Sequence, residues 1–321
     1  MPPMPRKRPS AKSASRAAAL SAARAARGSS PAPPTVPGSW LAAAVGLAVV
    51  AAAACAWATL CLLFWQGSWQ LLYHPTAAVT RTPASVGLPF GAVGFAATEA
   101  GDTQLKGWWI PAAPGARYSR ITALYLHGSD GNLVDTVDAL ARLHEAGVNV
   151  LAFDYRGYGQ SKFARPSEAR WREDAESALR YLTATRHIAA NSIVVMGRDL
   201  GANLALQVAA AHPELAGVVL QAPREEPVNV YFRDPRARLV PAHLLVHDRY
   251  DMNAPAAKLR IPSLWFYWTP KPGPGAENDE PEVFKMVTAP RMLAWLPTTG
   301  VVETYYQDAL SRWLDGLPGP R

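Results

Sequence analysis

Hydrophobic and polar positions along the chain follow two periods. Short apolar runs at 121–126, 148–153, 193–196, 215–220, 263–268 and 291–296, the third of them β-branched, read as buried strands. Between several of them, apolar residues recur every three or four positions. Leu133, Val137, Leu140 and Leu143 predict a helix over 133–146, with Asn132 as its N-cap and Gly147 as its C-cap. Ser167 suits the cap of a helix running to 183. The Ala/Leu-rich stretch after 199 and the segment 302–314 predict two more. Residues 93–98 and 104–110 flank Gly101-Asp102, which predicts a hairpin. Strands alternating with helices at this spacing predict an α/β fold with a mostly parallel sheet and helices on both faces. Ligands of such sheets bind beyond the carboxyl ends of the strands. His127–Asn132 and Asp199 both fall at such ends.

The first 70 residues break this pattern. No charge occurs from Trp40 to Trp65, a run longer than the roughly 20 residues needed to cross a bilayer. Trp40 at one end, with Trp65 and Trp69 at the other, suits the two membrane interfaces. The run is also longer than the apolar core of a cleaved signal peptide, about 7–15 residues. The expectation is one retained transmembrane helix over 40–65 that tethers the chain to a lipid bilayer. Residues 1–38 are rich in Ala, Ser, Pro, Lys and Arg and lack a core pattern, so they are expected to be a disordered basic tail. With that tail in the cytoplasm, the main domain, 70–317, lies on the far side of the membrane, in the periplasm of a Gram-negative source.

Charge narrows the function. The net charge of +7 equals the seven basic residues of 1–38, a stretch with no acidic residue, so the remainder is close to neutral. The tail also lacks aromatic residues to stack on bases, and nucleic acid is not an expected partner. The two cysteines, Cys55 and Cys61, both lie in the apolar run, which leaves no disulfide or cysteine metal site for the main domain. No His, Asp and Glu spacing marks a metal centre, and no cofactor is expected.

The organising stretch is 191–206. Its strand ends in Gly197-Arg198-Asp199-Leu200-Gly201 and continues as a helix, the layout of a nucleophile elbow. Glycines flank the raised residue because backbone approaches closely there. In most such elbows the raised residue is Ser. Here it is Asp199, which could pair with Arg198 or bind a cation or polar ligand.

The order of these pieces resembles the α/β-hydrolase superfamily, and in particular its membrane-anchored Bem46-like branch of serine aminopeptidase- and esterase-like proteins. The resemblance rests on Tyr73-His74-Pro75, Gly107-Trp108-Trp109-Ile110-Pro111, His127-Gly128-Ser129-Asp130-Gly131-Asn132, the run from Asp154 to Ser161, and the elbow. It implies hydrolysis of esters, amides or thioesters by Ser, an acid and His in that chain order. The backbone N–H groups of Ser129 and Leu200 are implied as oxyanion donors. His127 is implied to be structural, and 154–161 to fix a turn.

Where the resemblance implies an acid, just after Trp268, the chain reads Thr269-Pro270-Lys271-Pro272-Gly273. Glu277, Asp279 or Glu280 could reach in from the loop. Where it implies the base, Val301 or a neighbour stands, and no histidine follows His247. A base recruited from His243 or His247, in a cover segment at 223–260, is the remaining route. Hydrolysis needs an activated nucleophile and an oriented base. The expectation is therefore a hydrolase scaffold that is non-catalytic or strongly impaired, with a crevice open to a small-molecule or protein ligand. The alternative is an active hydrolase with a non-standard site. It either attacks carbon through Asp199, as haloalkane dehalogenases and epoxide hydrolases do, or uses a recruited base.

Overall fold

The computed structural model describes residues 11–26, 36–97, 101–269 and 280–318. The chain divides into two compact units, Met1–Ala58 and Thr59–Arg321. In the first, Ala11–Ala26 (α1) is helical, although the composition of 1–38 predicts no ordered element. Its alanines supply intrinsic helix propensity, which needs no apolar partner face, and its described side chains are exposed. The second helix, Gly38–Gly67 (α2), begins in this unit and continues as a 3₁₀ turn, Ser68–Leu71. The helical stretch Gly38–Leu71 is long and apolar enough to cross a membrane. At 1.5 Å per residue the uncharged run alone covers about 39 Å, more than the roughly 30 Å of a hydrocarbon core.

The second unit is built on an eight-stranded sheet. Its strands are β1 (Gly91–Ala96), β2 (Thr103–Ile110), β3 (Thr122–Leu126), β4 (Asn149–Asp154), β5 (Ile193–Arg198), β6 (Gly217–Gln221), β7 (Ser263–Thr269) and β8 (Arg291–Pro297). Across the sheet they run β8-β7-β6-β5-β3-β4-β2-β1. The hairpin β1–β2 and the pair β2–β4 are antiparallel, and every other pairing is parallel. Each run expected to be a strand is one, within two residues at either end.

Alternation along the strands splits the core in two. Leu124 and Leu126 of β3 point to one face, Ala123 and Tyr125 to the other. The first face is covered by α4 (Glu168–Arg180) and α5 (Leu200–Ala211), the second by α3 (Val137–Glu145) and α6 (Val302–Asp315). Both expected N-caps are in place. The Asn132 side chain accepts from Val134 N at 2.8 Å within a capping box closed by Asp135. Ser167 Oγ accepts from Arg170 N at 3.3 Å. The expected helix at 133–146 starts as a 3₁₀ turn, Leu133–Thr136, before α3, and the one after Ser167 ends in a π-turn, Tyr181–Thr185.

The segment at 223–260 is more ordered than its irregular sequence suggests. Short helices at Asn229–Arg233, Ala242–Leu245 and Asn253–Lys258 seat Tyr231, Tyr250 and Met252 in the same core as α4 and α5. It is a packed layer over one face, held by buried apolar side chains.

Candidate active site

Three neighbouring strand ends build the site. Registers pair Leu126 with Gly197 and Arg198 with Gln221, so the carboxyl ends of β3, β5 and β6 lie side by side. The segments leaving these ends converge: His127-Gly128-Ser129 from β3, Asp199 from β5, and Arg224 from β6.

Asp199 sits at φ +57° and ψ −128°, a conformation that L-residues seldom adopt. The sequence forces it by close packing. A Cβ on Gly197 would lie 2.1 Å from the Gly201 carbonyl oxygen, and one on Gly201 would lie 2.2 Å from that of Leu126. Both atoms are backbone, so neither contact can relax. Asp199 N donates to Gln221 O at 2.9 Å, and Asp199 O accepts from Ala202 N at 2.9 Å, which ties the turn to β6 and to α5.

The Asp199 carboxylate is fully engaged by its own protein. Oδ2 accepts from Ser129 N at 3.2 Å and from Ser129 Oγ at 3.1 Å. Oδ1 accepts from Arg224 Nε, forming an ion pair in which the two side chains are 27% and 34% exposed. Arg224 Nη2 also donates to Ser129 Oγ at 3.2 Å, which closes a three-residue ring. Arg224 is set in place through its backbone. Asn203, fully buried one turn into α5, accepts from Arg224 N at 2.9 Å and donates to Arg224 O at 2.7 Å and Tyr250 O at 3.0 Å.

The residues singled out from the sequence divide accordingly. Gly197, Asp199, Gly201 and Ser129 come together, and Leu200 is the buried first residue of α5. The expected pairing of Asp199 with Arg198 does not occur. Arg198 is the exposed last residue of β5, and the partner is Arg224, 25 residues on. Val301 stands at the N-terminal boundary of α6, 62% exposed. Glu277 and Asp279 lie outside the described residues, and Glu280 is half-buried just before Pro281.

None of the seven histidines contacts the Asp199 carboxylate. His243 stacks on Phe232 with ring centroids 4.3 Å apart, and His247 Nδ1 lies 3.2 Å from Leu245 O. His127 is buried beside the turn. Its Nδ1 lies 2.8 Å from Gly128 O, its Nε2 has no hydrogen-bond partner, and burial lowers its pKa to about 4. It is therefore neutral at pH 7.

Behind the turn, Tyr158 OH donates to Ser129 O at 2.9 Å and Tyr155 OH to His127 O at 3.2 Å. Tyr155 stacks on Trp171 at 4.0 Å, and Ser161 Oγ donates to Asp154 O at 2.6 Å. The run from Asp154 to Ser161 thus buttresses the Ser129 turn. Among the described residues no group of His, Cys, Asp or Glu could hold a metal ion.

A parallel sheet bearing a strained strand–turn–helix at 197–201 narrows the family, and sequence comparison points the same way. The family model for serine aminopeptidase, S33, matches residues 119–266, which include the Ser129 turn, the elbow and Arg224. The chain has the α/β-hydrolase fold, and the match supports a place in that superfamily. Its relatives support the Bem46-like branch. It is 33% identical over 177 residues to the uncharacterized protein Rv2307c of Mycobacterium tuberculosis, covering 55% of this chain and 61% of that one. It is 32% identical over 105 residues to protein bem46 of Schizosaccharomyces pombe, covering 32% of this chain and 35% of that one. The chain thus matches less than two thirds of the length of either relative. Among solved structures, the Pyrococcus furiosus esterase Pf2001 shares this α/β-hydrolase fold, with a TM-score of 0.56, 18% identity, and coverage of 77% of this chain and 98% of that one.

Proposed function

We propose that this protein is a membrane-anchored member of the α/β-hydrolase superfamily whose former catalytic centre no longer turns over substrate and whose crevice serves binding. One observation carries this reading: the Asp199 carboxylate occupies the Ser129 donor and is closed off by Arg224. Acyl transfer needs a nucleophile activated by a base, and an empty donor facing the developing oxyanion. Neither is offered. The same geometry weighs against a carbon-attacking Asp199. With Oδ2 on Ser129, the attacking atom is Oδ1, and the Arg224 guanidinium neutralises and shields it.

The anchor reading rests on the helix Gly38–Leu71, and its orientation on the basic tail, which favours a cytoplasmic N-terminus and an extracytoplasmic main domain. The purified full chain is expected to hydrolyse p-nitrophenyl acetate and butyrate no faster than buffer, with Asp199→Asn indistinguishable from it. Turnover that Asp199→Asn abolishes overturns the reading. One feature favours a second reading, an active Asp199 enzyme: the elbow keeps its strained backbone with the carboxylate partly exposed. Released halide, or an alkyl adduct on Asp199 seen by mass spectrometry, supports that alternative.

A further inference from the structure

A cavity of about 240 Å³ lies away from the elbow, where the chain leaves the apolar helix. Trp65 and Trp69 form part of its wall, and Arg165, Arg170 and His247 line it with them. Trp65 closes the apolar run, just before Gln66, so a helix that spans a bilayer places it among the lipid headgroups.

Two features of this wall favour an anionic partner. Arg165 is fixed over the Trp65 ring, 5.7 Å from its centroid, and donates to Trp65 O at 2.9 Å. Arg170 is tied to the carbonyl oxygen of Arg165. Among the described residues no carboxylate forms an ion pair with either arginine. The acidic side chain in the wall, Asp248, has both oxygens engaged, by Tyr73 OH at 2.9 Å and Glu168 N at 3.0 Å. The chain on either side of the cavity also exposes large apolar groups. Phe163, two residues before Arg165, is 88% exposed, and Leu244, beside the lining residue Leu245, is 76% exposed. Exposed apolar side chains next to a cavity lined by arginines are the composition of a surface that lies in a headgroup layer.

We infer that the cavity between Trp65, Arg165 and Arg170 binds the phosphate headgroup of an anionic phospholipid, with Phe163 and Leu244 dipping into the same leaflet. The inference rests on the membrane-anchor reading. The lipid holds this face of the hydrolase domain flush with the bilayer. Each arginine near an anionic surface contributes roughly fivefold to lipid association.

The test uses the full chain in nanodiscs of POPC alone or of POPC mixed with POPG, read by hydrogen–deuterium exchange. Expected is slower exchange at 161–170 and 243–248 in the POPG discs. That protection is lost in Arg165→Gln/Arg170→Gln, kept in Arg165→Lys/Arg170→Lys, and weakened in Phe163→Ser, an exposed change that leaves the core intact. Equal exchange of the parent chain in the two discs overturns the inference alone. So does equal protection from inorganic phosphate added to POPC discs. Failure to enter either disc overturns the anchor reading and this inference with it.

Discussion

Replacing Asp199 separates two energies that the elbow combines. In Asp199→Ala the ion pair with Arg224 is lost and the buried Ser129 N–H loses its acceptor. The pair is neither fully exposed, where such contacts are worth roughly 0.2–1 kcal/mol, nor fully buried, where an abandoned partner costs roughly 3–5 kcal/mol. With the orphaned donor included, a loss of about 2 kcal/mol is expected. Asp199→Gly loses the same contacts but relieves the backbone at φ +57°. Such strain costs roughly 1–3 kcal/mol, against roughly 0.5–1 kcal/mol of extra chain entropy for Gly. The Gly variant is therefore expected to be about 1 kcal/mol more stable than the Ala variant.

Thermal unfolding followed by tryptophan fluorescence in a common detergent reads this directly. At roughly 2–4 °C per kcal/mol for a domain of this size, Asp199→Ala lowers Tm by about 4–8 °C and Asp199→Gly recovers about 2–4 °C of it. A double-mutant cycle with Arg224→Gln isolates the pair, with an expected coupling of about 1 kcal/mol. Additive effects refute the ion pair. A Gly variant less stable than the Ala variant refutes the strain.

The same geometry makes three other outcomes testable. Gly197→Ala drives a methyl into the Gly201 carbonyl, and its thermal unfolding should show a loss of roughly 3 kcal/mol or more. Asp199→Ser/Val301→His frees the Ser129 donor and tests 301 as the base position; if it is, p-nitrophenyl acetate hydrolysis should rise at least about tenfold over Asp199→Ser alone. His127, held near 4 in the fold against an ordinary 6.5, contributes stability that is present above pH 6.5 and lost as pH falls towards 4, up to about 3 kcal/mol. The adjacent Asp154, which burial pushes up to about 6, acts with the opposite sign and loses stability as pH rises through that value. His127→Gln should therefore flatten the fall of Tm between pH 7 and pH 4.5, whatever its effect at neutral pH.

The elements were legible because each has its own local code. The parallel strands are mostly apolar, since such strands are buried on both faces, and Asn132 and Ser167 cap as their side chains dictate. Position 199 was legible too, because a turn this tight needs glycines at 197 and 201. Arg224 was not. It lies in a charged stretch without periodicity, and its meeting with Asp199 depends on β6 being the sheet neighbour of β5. The available signal was topological: the first residues after the strand that succeeds the elbow helix must emerge beside the elbow. Arg198, adjacent in sequence, lies on β5 and faces solvent. The helix Ala11–Ala26 was hidden for a different reason, since its composition reads as disorder while its alanines favour a helix.

The elbow also shows how a strained turn can be tied into the rest of a fold. Holding Asp199 at positive φ costs stability, and the usual return is a side chain raised into a crevice. Here that side chain is bound by Ser129 and Arg224, which come after two other strands, so the strain is offset within the fold. The ring cross-links the carboxyl ends of β3, β5 and β6, and Asn203 ties the same point to Tyr250 in the covering layer. A serine at 199 could not do this, because its single oxygen cannot accept from Ser129 and Arg224 on two separate atoms. The carboxylate thus supplies what the serine lacks, a rigid joint under the cover segment. Loosening it with Arg224→Gln should therefore speed amide exchange at 224–250 before it affects the sheet.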